Sequence, residues 1–200
     1  MTRTRWKILK KIEFPLIINR AKEEAKREQM PLRIMFQDEA RFGRINEIRK
    51  CWSPKGVRPE VIKQIVREYT YAYAAVSPLD GISDFLILPY MRGVEMEMFL
   101  REVSERHSEE LILMFMDGAS SHKGLEIPEN IIVEHIPAYC PQLNPVENMW
   151  DEMREKYFGN LAFDSMEAVE DRLEEACVAY ESDRLKVQSI AGFEWIIVGL

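Results

Sequence analysis

Two hundred residues with 46% hydrophobic content suffice for one domain with a full core, and no apolar run is long enough to cross a bilayer. Cys51, Cys140 and Cys177 lie far apart and outside metal-ligand spacing, so no disulfide framework is implied and a reducing cytoplasm is the expected setting. The net charge of −7 argues against a nucleic-acid partner, yet residues 1–67 carry 18 Lys/Arg against 8 Asp/Glu while the remainder carries 9 against 26. A basic third joined to an acidic remainder can face phosphates and stay soluble, although a charge run is also simply a solvated surface.

In chain order, residues 4–29 set Trp6, Ile8, Leu9 and Ile12, then Leu16, Ile17 and Ile18, among lysines and arginines with Pro15 interrupting. That pattern predicts one or two basic helices, the second running through AKEEAKREQ. Leu32 to Phe36 reads as a central strand, apolar at most positions, with Asp38 closing it. Gly43, Pro54, Gly56 and Pro59 then punctuate short segments resembling a hairpin and turn, and eight basic residues fall between Arg41 and Arg67. Tyr69 to Ser77 is strand-like, Pro78-Leu79-Asp80-Gly81 is a turn signal, and Ile82 to Leu88 returns as the antiparallel partner.

Val94, Met98, Phe99 and Val103 follow at helical spacing, with Met96 off register. Leu111 to Met116 is a second buried strand, ended by Asp117. Ile131 to Val133 is a short strand, PAYCPQLNP a loop, and Pro145 to about Tyr157 a helix. A last amphipathic helix spans roughly Ser165 to Lys186, with Met166, Val169, Leu173, Ala176 and Tyr180 on one stripe. Antiparallel and crossover-connected strands in this order predict an α/β fold with a mixed sheet of about five strands flanked by helices.

The chemistry resides in three acidic residues at the ends of three hydrophobic segments: Asp38 in RIMFQDEARFG, Asp117 in LILMFMDGASSHKG and Glu147 in LNPVENMW. Carboxylates at the tips of adjacent central strands can share a cation. Oxygen-only ligands suit Mg²⁺ or Mn²⁺, and a hard divalent ion held by carboxylates points to phosphate chemistry. Each residue also reads without catalysis. Asn144, Pro145 and Glu147 form a near-ideal helix start, as N-cap, first helical position and capping box. Asp117-Gly118 reads as a strand-ending turn, and Asp38-Glu39 as a surface acidic pair.

Together, QDEARFG, MDGASSHKG and IPAYCPQLNPVENMW resemble the catalytic core of DDE transposases of the Tc/mariner-type insertion-sequence superfamily, over residues from about 30 to the C-terminus. PAYCPQLNPVENMW is the most specific string, and the turn WSPKG, Trp52 to Gly56, is a second match. The resemblance implies a ribonuclease H-like fold and a DDE triad of Asp38, Asp117 and Glu147 that binds metal, Mg²⁺ or Mn²⁺ and as two ions, and catalyses DNA strand cleavage and strand transfer. Glu39, His122 and Asn144 are further candidates for carboxylate support or substrate contact, with an ion pair to Arg41 the other reading of Glu39. Arg41, Arg44, Arg49, Lys50, Lys55 and Arg58 are candidate DNA contacts. Trp52 and Trp150 read as packing residues, and Met96, Met98, Met114, Met116, Met149 and Met153 as core filler.

The implied partners are double-stranded DNA, as element ends and target, a second copy in a homodimer, and a separate DNA-binding polypeptide; the implied location is cytoplasmic and nucleoid-associated, with no membrane. In this reading residues 1–30 are a basic helical remnant of the linker to a missing helix-turn-helix domain, and residues 31–200 are the catalytic domain. The interval between Asp117 and Glu147 holds 29 residues, shorter than the family pattern. A related metal nuclease of the same fold, and a truncated transposase that binds DNA or a partner without cutting, are the two rival functions.

Overall fold

The structure, a computed structural model, describes residues 13–118, 124–137 and 140–197. Helix α1 (Phe14–Glu28) precedes β1 (Leu32–Ile45), β2 (Ile65–Val76) and β3 (Ser83–Leu88). Then come α2 (Gly93–Arg106), β4 (Leu111–Met116), β5 (Ile131–His135), a 3₁₀ turn (Pro141–Leu143) and α3 (Val146–Met153), which runs into a π-helical turn (Arg154–Phe158). Helices α4 (Met166–Ser182), α5 (Arg184–Ala191) and α6 (Glu194–Ile197) complete the described chain. The strands form one mixed sheet in the order β3-β2-β1-β4-β5, with β1–β4 and β4–β5 parallel and β1–β2 and β2–β3 antiparallel.

Two apolar layers sandwich that sheet. All six residues of β4 are buried, which is why its sequence is a continuous apolar run rather than an alternation. One face packs Phe14, Ile18, Phe36, Phe115, Leu143, Trp150, Leu173 and Val187 between the strands and helices α1, α3, α4 and α5. The other face packs Met35, Tyr73, Met114 and Met116 against Met96, Phe99, Leu100 and Val103 of α2. Helix α1 contributes Phe14, Ile18 and Ala21 to the first layer, with Phe14 lying 5.2 Å from the Phe115 ring.

At the pole of the sheet away from Asp38, Arg33 joins Glu110 and Asp80, tying β1 to the residue before β4 and to the β2–β3 turn. That turn needs glycine: Gly81 has φ +70°, and a Cβ there would sit 2.0 Å from the Arg184 carbonyl oxygen. Cys51, Cys140 and Cys177 are reduced thiols, and no helix among the described residues is long and apolar enough to cross a membrane.

Several sequence expectations are corrected. β1 continues nine residues beyond Phe36 because β2 pairs with it as far as Ile45↔Ile65, so Asp38 lies within the strand. No hairpin fills residues 46–64; they form an irregular, largely exposed connection. β5 extends to His135 through its pairing with Met116. The last amphipathic segment is two helices, parted at Asp183, whose carboxylate accepts the Lys186 N–H at 3.0 Å and starts α5. On α2 the buried stripe is Met96, Phe99, Leu100 and Val103, while Val94 and Met98 face outward. Trp52 is fully exposed.

Candidate active site

Asp38 lies two residues beyond Phe36, and Asp117 two residues beyond Phe115, where Phe36↔Phe115 is the last parallel pair between β1 and β4. Equal offsets from one shared pair, on strands about 4.8 Å apart, bring the two residues to the same end of neighbouring strands, where β4 stops and β1 runs on. Strand alternation gives Asp38 the face of Phe36 and Ala40, the face that α3 covers.

Glu147 stands in the first turn of α3. Val146, Met149, Trp150 and Met153 bury the inner side of this helix, and two polar contacts fix its distance from β1. The buried Asn144 side chain donates to the Gln37 carbonyl at 2.9 Å, and its own oxygen accepts the Val146 N–H at 3.2 Å. Three residues after Glu147, the Trp150 indole N–H donates to Asp38 Oδ2 at 3.0 Å. Residues i and i+3 share a helix face, so Glu147 looks toward the same strand ends. The capping-box expectation is revised: the Asn144 N–H donates to the Pro141 carbonyl, and Asn144 serves as the anchor of α3 to the sheet.

The electrostatics reflect this gathering of acids. Burial pushes the Asp38 carboxyl up to about 8, reinforced by Glu147 and Glu39 and more weakly by Asp117, with the Trp150 hydrogen bond opposing them. Burial also raises Glu147, with Arg154 countering and Asp151 and Asp117 adding to the rise. The carboxylates therefore sense one another across the site. Among the described residues, no three His, Cys, Asp or Glu side chains come close enough to close around a metal ion. The donor set is nonetheless all oxygen, it carries repulsion that a cation relieves, and it matches the preference of a hard dication.

The remaining candidates separate by position. Glu39 alternates to the opposite face, beside Tyr73, whose hydroxyl is driven upward by burial first and by Glu39 second. Arg41 lays its guanidinium over the Tyr69 ring at 4.4 Å. Arg44 bonds to the Phe163 carbonyl at 2.9 Å and to Glu68 of β2 at 2.7 Å, and Arg49 pairs with Glu155 and Glu47, bracing the 46–64 connection. Lys50, Lys55 and Arg58 are exposed. His122 lies outside the described residues.

Two contributors escaped the sequence reading. Trp150 does more than pack, because its N–H reaches Asp38. Arg154 sits over the Phe42 ring at 5.4 Å and moderates Glu147. The available signal for Arg154 was its place two helical turns after Glu147, on the same face.

A family model described as DDE superfamily endonuclease matches residues 33–170, a span that contains Asp38, Asp117 and Glu147. The chain belongs to this family. A relative, the uncharacterized protein y4pE/y4sA of Sinorhizobium fredii, is 30% identical over 133 residues, covering 64% of this chain and 96% of its own. Among solved structures, the Mos1 transposase paired-end complex with left transposon end superposes with a TM-score of 0.61 at 17% identity, over 100% of this chain and 63% of that one. The Mos1 mariner paired end complex with Mn gives a TM-score of 0.56 at 18% identity, over 93% of this chain and 61% of that one. The chain thus spans under two thirds of the length of those transposase chains, and the shared feature is the ribonuclease H-like fold: a mixed five-stranded sheet flanked by helices.

Proposed function

We propose that this DDE endonuclease is the catalytic domain of a transposase, in which Asp38, Asp117 and Glu147 hold Mg²⁺ or Mn²⁺, as two ions, for DNA strand cleavage and strand transfer. The observation that carries the reading is the juxtaposition of Asp38 and Asp117 at equal offsets from the Phe36↔Phe115 pair, beneath a helix that brings Glu147 and is anchored to Asp38 itself.

Divalent cations bound there supply charge to the phosphoryl transition state and make an attacking hydroxyl more acidic. The protein's share is positioning. Asp38 and Asp117 project from a rigid sheet, Glu147 from a helix fixed at two points, and Arg154 offsets part of the acidic field. Catalysis by carboxylates and ions needs no covalent enzyme intermediate, so water can cut the element ends and the freed 3′-hydroxyl can attack target DNA at one site. The exposed Lys50, Lys55 and Arg58 offer phosphate contacts, and joining two element ends calls for two copies of the chain.

The open spacing of the carboxylates is the one observation that favours the second reading, a chain that binds DNA without cutting it. Plasmid nicking separates the two. The transposase reading expects Mg²⁺- or Mn²⁺-dependent nicking that disappears with chelator and in Asp38→Ala, Asp117→Ala and Glu147→Ala. Retained DNA binding with no nicking and no calorimetric uptake of Mn²⁺ supports the non-cutting chain instead. Full activity in any one variant removes that residue from the site.

A further inference from the structure

We propose that Trp150 is the positioning residue of this carboxylate site: its indole N–H holds one oxygen of Asp38 and so fixes the orientation in which the Asp38 carboxylate meets a cation. The inference rests on the metal-site reading above and deepens it.

Three observations converge on Trp150. Its Nε1 lies 3.0 Å from Asp38 Oδ2. The side chain is 1% exposed, and its ring is held edge-on by Phe42 of β1 at 6.0 Å and 69° and by Phe85 of β3 at 6.1 Å and 66°. Both clamping rings are rooted in the sheet, so the indole has no room to swing away from Asp38. Indole is a donor with no acceptor atom, and it therefore reports and enforces an accepting oxygen on Asp38.

The same contact gauges a second carboxylate. Trp150 and Glu147 lie one turn apart on α3, so the spacing that the indole sets between α3 and β1 also constrains how Glu147 stands relative to Asp38. Asn144 acts as a parallel strut one residue earlier on the strand, through the Gln37 carbonyl. A residue needed only for filling space in this layer could as well be phenylalanine; the N–H is what a phenyl ring lacks. Hydrogen-bond partners of metal-binding side chains typically contribute about 10- to 100-fold in metal affinity.

The test replaces position 150 by 3-benzothienylalanine, which keeps the bicyclic shape and puts sulfur where the N–H stands, alongside Trp150→Phe and an Asp38→Asn control. Mn²⁺ affinity is read by titration calorimetry on the full chain, and the metal-free melting temperature is read separately. The expected result is Mn²⁺ affinity weakened about 10-fold in the benzothienyl chain while the metal-free chain still melts cooperatively, with binding abolished in Asp38→Asn. A benzothienyl chain that binds Mn²⁺ as tightly as the wild type overturns the role of Trp150 and leaves the metal site standing. A wild type that takes up no Mn²⁺, or an Asp38→Asn chain that takes up as much, overturns the metal-site reading and this inference with it.

Discussion

Asp38 concentrates the tension of the site, because it is half-buried, faces other acids and accepts the Trp150 hydrogen bond. Its carboxyl, pushed up to about 8 by burial and by Glu147, keeps its proton in the folded chain at pH values where the unfolded chain has released it. The folded state then binds more protons between about pH 4 and about pH 8, so this residue's contribution to stability falls as pH rises through that window. In chelator, the melting temperature of the wild type is expected to decline relative to Asp38→Asn across that range. A difference that runs the other way contradicts the assignment. One residue earlier, Gln37 is fully buried on the opposite face, and among the described residues neither atom of its amide has a partner. Gln37→Met is therefore expected to raise the free energy of unfolding by about 1 kcal/mol, measured by urea denaturation. A loss of stability would show that the amide is satisfied.

At the scale of elements, the site depends on a strand that outlasts its parallel neighbour and a helix pinned across the gap. Asn144→Ala removes both struts of that residue and orphans the buried Gln37 carbonyl, a cost of about 2 kcal/mol, and should weaken nicking by letting α3 drift; unchanged activity would show that Trp150 alone places the helix. Asp183→Ala should cost about 1 kcal/mol by uncapping α5, with no effect on nicking. These elements differ in how legible they were. The all-apolar β4 and the Pro-Leu-Asp-Gly turn declared themselves, because a strand buried on both faces and a left-handed glycine have few other sequences. The extension of β1 was encoded too, in the alternation Phe36, Asp38, Ala40, Phe42, but its outward residues are polar and the run looked like a loop. The break at Asp183 was hidden by an apolar stripe that passes through it. The Trp150–Asp38 bond spans 112 residues, and no local pattern announces a contact that only the tertiary fold creates.

For the molecule as a whole, charge is partitioned. Lys50, Lys55, Arg58, Lys63 and Arg67 lie exposed on and beside the 46–64 connection, whereas Asp164, Glu167, Glu170, Asp171, Glu174 and Glu175 line the outer surface leading into and along α4. In the proposed transposase the exposed cations of the connection are the expected phosphate contacts. Changing Lys50, Lys55 and Arg58 together to glutamate should weaken DNA binding and flatten its salt dependence, which for the wild type follows a slope of about −0.9 per phosphate neutralised; an unaltered slope would exclude that surface. Cation capture by Asp38, Asp117 and Glu147 is the central proposal. Anomalous diffraction from crystals grown with Mn²⁺ examines it directly: the expected map has its strongest peaks between the Asp38 and Asp117 carboxylates with Glu147 in contact. Peaks confined to other parts of the surface, or none at this position, would contradict it.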